Sequence, residues 1–154
     1  MPRGAPLFSP SSAPTLDRVE QRRLHALLAR ERELQLAGYE RIAGVDEAGM
    51  GPLAGPVVAA AVILPRGLGL AGVNDSKQLR PALRAGLAVA IREQAVAWAV
   101  AAASVREIDT HNIRQAGLLA MRRALDRLLP EPDYVLLDAR TLEALPWPQE
   151  GRIR

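Results

Sequence analysis

The chain has 154 residues, enough for one domain with its own core, and a net charge of +3 that is too small to name a polyanionic partner by itself. Hydrophobic residues make up 49% and aromatic residues only 3%, so the core must be built from Ala, Val, Leu and Ile. With no cysteine, no apolar run of membrane-spanning length and no signal-type N-terminus, disulfides, thiolate metal sites and a spanning helix are excluded, and a cytoplasmic protein is expected.

Met1 to Pro14 is rich in Pro, Ser, Gly and Ala and reads as a disordered arm (1–14). Residues 15–38 read as an N-terminal helix. Thr15 would cap it, Leu16, Val19, Leu24, Leu27, Leu28 and Leu34 would form an apolar stripe, and Gly38 would end it. The opposite face, with Arg18, Glu20, Arg22, Arg23, Arg30, Arg32 and Glu33, reads as solvated charge rather than as a nucleic-acid contact. His25 lies on this helix and His111 in a later loop, and neither is given a role.

Arg41 to Ala48 predicts a first strand and Pro56 to Leu64 a second, apolar on both faces and therefore central or covered. Their short link predicts a hairpin. After a glycine-rich loop and Asp75-Ser76-Lys77, a helix is predicted over Pro81 to Gln94, with Pro81 in its first turn. Ala95 to Val105 is compatible with strand or helix; Trp98, Val100 and Val105 favour strand. Ile108 to Asn112 is read as a short connection. Ile113 to Leu129 is read as a helix with Ile113, Leu118, Met121, Leu125 and Leu128 on one side, ended by Pro130 and Pro132. Asp133 to Leu137 predicts a short strand with Asp138 at its C-terminal end. Ala139 to Arg154 shows no periodicity. The order predicts an α/β fold with a hairpin-rich start and a parallel strand at the end.

Three acids stand at strand ends beside turns: Asp46, Glu47 and Asp138. If the last strand pairs parallel to the first, Asp46 and Asp138 become neighbours, and two such carboxylates need a cation to stay ionised together. The available ligands are hard oxygens, which select Mg²⁺ or Mn²⁺ over zinc and suit metal-assisted phosphoryl transfer. Adjacent strand residues point to opposite faces, so Asp46 and Glu47 share a site only if the strand ends or bulges there. On spacing alone a second reading stands beside this one, in which one carboxylate faces solvent and the other caps a turn. Gly49-Met50-Gly51 is neither a dinucleotide fingerprint nor a Walker A loop. It can bring bare backbone N–H groups close to a ligand, or simply close a tight hairpin. Lys77 is the only lysine.

The stretch Gly44-Val45-Asp46-Glu47-Ala48-Gly49-x-Gly51-Pro52-Leu53-Ala54-Gly55-Pro56-Val57 resembles ribonuclease HII, the bacterial type 2 ribonuclease H. Further matches follow in order: Asn74-Asp75-Ser76-Lys77-Gln78-Leu79, Glu107-Ile108-Asp109-x-x-Asn112-Ile113, Leu119-Ala120-Met121-x-x-Ala124 and Asp133 to Asp138. The resemblance implies a ribonuclease H-like fold, a mixed sheet with flanking helices, occupying residues 39–154. It implies a monomeric endoribonuclease that needs Mn²⁺ or Mg²⁺, hydrolyses the RNA strand of RNA–DNA hybrids and incises duplex DNA at ribonucleotides. It assigns Asp46, Glu47 and Asp138 as catalytic metal ligands, the backbone of Gly49, Met50 and Gly51 as reader of the 2′-OH, and Lys77 as a phosphate contact.

Two departures from the family pattern matter. Met50 stands where the family has an arginine, removing a charge-assisted phosphate contact of about 1.5–3 kcal/mol. The family also has a fourth carboxylate, an aspartate in a Lys-Gly-Asp-like segment soon after the strand carrying Asp138. This chain stops at Gly151-Arg152-Ile153-Arg154, about where that segment should begin. The sequence therefore reads as a C-terminally truncated member in which the next strand is cut. Little or no cleavage is expected from it, and the alternative is an inactive remnant that binds nucleic acid.

Overall fold

The computed structural model of the chain describes residues 18–49, 55–68, 79–138 and 141–152. The expected N-terminal arm and its Thr15 cap lie outside these residues. In chain order the elements are α1 (Arg18–Leu27), α2 (Ala29–Leu36), β1 (Ile42–Ala48), β2 (Val57–Ile63), α3 (Pro81–Gln94), β3 (Ala97–Ala103), α4 (Val105–His111), α5 (Ile113–Asp126), β4 (Tyr134–Asp138) and β5 (Gln149–Arg152). The strands form one mixed sheet in the order β3-β2-β1-β4-β5. β1, β2 and β3 pair antiparallel as a meander, while β4 and β5 add parallel to β1.

Alternation along the strands decides which face is covered. Residues 97, 99, 101 and 103 of β3 are buried and those between them exposed. The same holds for 57, 59, 61 and 63 of β2, with their neighbours at least partly open. α5 lies on the buried side, closing the core with Ala116, Ala120, Met121, Ala124 and Leu125. Because both surfaces are lined with alanine, the helix can approach the sheet closely, and a low-aromatic sequence still fills the space. β2 is central, as its composition predicts. Its outer face is nevertheless exposed at Val58 and Ala60, which pair with Ala102 and Val100 of β3.

Four expectations change. The single N-terminal helix is two, α1 and α2, meeting at Leu28, and of the stripe Leu34 is buried while Val19 is 71% exposed. Gly38 does end it: φ is +106°, Gly38 N donates to Gln35 O and Tyr39 N to Leu34 O, which satisfies two carbonyls left over by the last turn. The supposed connection Ile108 to Asn112 belongs to α4, whose start is set by a capping box. Glu107 N donates to Ser104 Oγ at 3.2 Å, and Ser104 N donates back to Glu107 Oε2 at 2.9 Å. α5 ends at Asp126, ahead of Pro130 and Pro132; the expected Met121, Leu125 and Leu128 are buried with Ile113 and Leu118 packed against them, and Ala116, Ala120 and Ala124 complete that side.

The fourth change concerns β5, which the aperiodic tail did not suggest. Gln149 Oε1 accepts from Leu142 N at 2.7 Å and its Nε2 donates to Leu142 O at 2.6 Å, folding the preceding loop back. Arg30 of α2 then grips Glu150 through two hydrogen bonds, Nε to Oε1 at 2.7 Å and Nη2 to Oε2 at 2.6 Å. Tyr134 Oη donates to Glu150 as well, and Tyr39 packs edge-on against Tyr134. Arg30, read as solvated charge, is thus what ties the N-terminal helices to the edge of the sheet.

Candidate active site

β1 and β4 run side by side in the middle of the sheet, and their ladder ends with Val45 opposite Leu137. One residue further, Asp46 and Asp138 stand next to each other at the C-terminal ends of two parallel strands. Val45 and Leu137 are buried toward α5, so alternation directs Asp46 and Asp138 to the open face, and both are exposed. The same row runs across the sheet through Ala60 and Val100 on one side and Arg152 on the other. The small Ala60 therefore leaves the floor beside Asp46 bare.

The strand neither ends nor bulges between Asp46 and Glu47. The β1–β2 ladder continues without interruption through Asp46 opposite Ala60, Glu47 opposite Ala59 and Ala48 opposite Val58. Glu47 therefore has the parity of the α5 side and is half-buried, while Asp46 is open. Asp46 Oδ1 accepts a hydrogen bond from Glu47 N at 2.9 Å, so it also works as a local backbone cap. Burial is the main reason the Glu47 carboxyl is held above the usual carboxylate range. The negative charge of Asp46 adds to it, as does that of Asp138, while a backbone hydrogen bond pulls the other way. Glu47 thus feels the charge of both aspartates although the pleat divides it from Asp46.

Gly49 follows directly. Its φ is +90°, and a Cβ there would meet Pro56 O at 3.0 Å, so both backbone angle and space require glycine. Met50, Gly51 and Lys77, expected to contact the substrate, lie outside the described residues.

The donor chemistry of Asp46, Glu47 and Asp138 fits a hard divalent cation. Their spacing does not yet close around one: among the described residues, no three acidic or histidine side chains are gathered tightly enough to hold a metal ion. The alternation of Asp46 and Glu47 explains why.

The Glu107-to-Ile113 motif has a structural job. Glu107 caps α4 and receives both terminal nitrogens of Arg123, at 2.6 and 3.0 Å, which holds its carboxyl down at about 2. Asn112, at φ +72°, ends α4 and caps α5 by accepting from Gln115 N at 3.0 Å. The spacing Ser104-x-x-Glu107 is the signal that would have located α4.

The family profile described as Ribonuclease HII matches residues 43–153. The chain belongs to the ribonuclease HII family. It is 55% identical over 139 residues to the ribonuclease HII of Myxococcus xanthus, covering 90% of this chain and 47% of that protein. With the enzyme of Moorella thermoacetica it shares 56% identity over 130 residues, 84% of this chain and 63% of the relative. The chain thus spans about half to two-thirds of the length of these curated relatives.

Among solved structures, the crystal structure of ribonuclease H2 from Pyrococcus horikoshii OT3 superposes with a TM-score of 0.55 at 31% identity, covering 64% of this chain and 49% of that one. The ribonuclease HII of Archaeoglobus fulgidus, solved in complex with PCNA, reaches 0.54 at 22% identity over 73% of this chain and 63% of that one, a likeness of fold. The ribonuclease H-like architecture expected from the sequence is therefore the observed one. Among the described residues, no helix is long and apolar enough to cross a membrane.

Proposed function

We propose that this chain carries the first part of a ribonuclease HII active site, and that the family's reaction is divalent-metal-dependent hydrolysis of RNA in RNA–DNA hybrids and at ribonucleotides within duplex DNA. The observation that carries the proposal is the placement of Asp46 and Asp138 side by side on the open face, at the ends of parallel β1 and β4, within a chain of this family. Residues 39–154 would form the catalytic unit and 15–38 a helical brace, acting as a monomer in the cytoplasm.

Asp46, Glu47 and Asp138 would hold Mg²⁺ or Mn²⁺. Bound there, the cation would neutralise charge on the scissile phosphate and activate water for its attack. This chain's own residues supply the rest. The side-chain-free Gly49 would let backbone N–H groups approach a 2′-OH, and the backbone of Met50 and Gly51 would take part in that reading. Lys77 would pair with a phosphate, and Met50 brings no charge to replace the family's arginine.

A second reading, that the chain binds nucleic acid without cutting it, draws support from the ungathered acids. Both readings are tested with duplex DNA holding one ribonucleotide, incubated with Mg²⁺ or Mn²⁺, alongside an NMR titration with Mn²⁺. Paramagnetic broadening at Asp46 and Asp138 with weak incision, lost in Asp138→Asn, is the expected result. Substrate binding with neither broadening nor incision would leave the second reading standing, and absence of both binding and broadening would defeat both.

A further inference from the structure

β3 is an edge of the sheet, and its sequence, Ala97-Trp98-Ala99-Val100-Ala101-Ala102-Ala103, has no charge, proline or glycine. Uncharged, uninterrupted edges of this kind invite pairing with another strand. Two arginines four residues apart, Arg123 on α5 and Arg127 just past its end, reach around the edge from the covered face. Arg127 Nη1 donates to Val100 O at 2.8 Å, and Arg123 Nη1 donates to Ala102 O at 3.0 Å. Those carbonyls are two residues apart, so they lie on the same outer side of β3, the side that would accept N–H groups of an added strand. Arg123 is itself held by its two-pronged pair with Glu107.

We infer that Arg123 and Arg127 keep the β3 edge shut, and that the edge they cover is a pairing surface for the β3 strand of a second copy of this chain. The strand is complementary to itself. Antiparallel pairing about a twofold axis at Val100 sets Val100 against Val100 and each Trp98 against an Ala102, so a large side chain meets a small one on the open face. Such pairing would have to displace both arginine caps in both copies. A hydrogen bond from a charged donor is strong enough that each cap removed should tighten self-association by about tenfold.

Sedimentation velocity over a concentration series tests this. The expected result is a monomer for the native chain and a concentration-dependent dimer for Arg123→Gln/Arg127→Gln, with folding checked by circular dichroism. Adding Val100→Pro should restore the monomer, because a proline whose missing N–H would face solvent is tolerated on an edge strand but cannot pair. Glu107→Gln, which breaks the ion pair and leaves both caps, should stay monomeric. Should the double variant fail to fold, Arg127→Gln alone opens the central carbonyl, keeps the Arg123–Glu107 pair, and, by removing one cap from each copy, should tighten the dimer by about a hundredfold. A folded variant lacking the caps that associates no more tightly than the native chain would overturn the inference. So would a dimer indifferent to Val100→Pro, or a Glu107→Gln variant that dimerises as well.

Discussion

Ala120 offers a direct test of how the domain is built. It is fully buried on α5, in a core whose sheet side includes Ala59, Ala61, Ala99 and Ala101, all 7% exposed or less. A helix lying this close to a sheet of alanines leaves no room for a longer side chain. Ala120→Leu forces three extra carbons into that space, and α5 must lift off the sheet or neighbouring side chains must leave their rotamers. Overpacking typically costs about 1–3 kcal/mol, and three added carbons put this variant at the upper end, about 3 kcal/mol. For a chain of this size each kcal/mol lowers the melting temperature by about 2–4 °C, so a fall of roughly 6–12 °C is expected by calorimetry. The control is Ala82→Leu in α3, at an exposed position, which should stay within about 0.5 kcal/mol of the native chain. If Ala120→Leu melts with the native chain, α5 does not sit at alanine distance from the sheet, and the account of the core is wrong.

Acid stability should depend on Glu107. Its folded carboxyl titrates near 2 rather than the usual 4.5, so the folded state binds its proton less readily than the unfolded one. The stabilisation is present above the ordinary value and disappears as pH falls through about 2. Urea unfolding between these pH values should show a slope that Glu107→Gln flattens; an unchanged slope would refute the pairing with Arg123. Arg30→Met should free α2 from β5, since the paired guanidinium and carboxylate join elements 120 residues apart. Hydrogen exchange should then quicken in α2 and β5 and stay unchanged in β2 and β3, whereas uniform protection would mean that Leu34 alone holds the helices.

What could be read before folding follows from local rules. Pro81 at the start of α3 and the break at Gly38 depend on backbone angles that a few residues set, and both stand where the pattern places them. The run from Gly44 to Val57 carries enough specific residues to name the family without coordinates. α4 was equally legible from Ser104 and Glu107, but a window tuned to apolar periodicity passes over a seven-residue capped helix.

β5 was not legible, because four residues have no measurable alternation and its position rests on the ladder with β4 and on Arg30, far away in the chain. The partnership of Asp46 with Asp138 is another matter of pairing. Sequence alone identified both as strand-end acids, yet only the parallel register of β1 and β4 makes them neighbours on one face. The same register decided against a bulge at Glu47, and so separated it from Asp46 by the pleat. Composition and motif determine which chemistry this chain can carry, since they reside in residue identity. Which acids stand together is decided by long-range strand pairing, whose energy comes from backbone partners and core contacts that no local window contains.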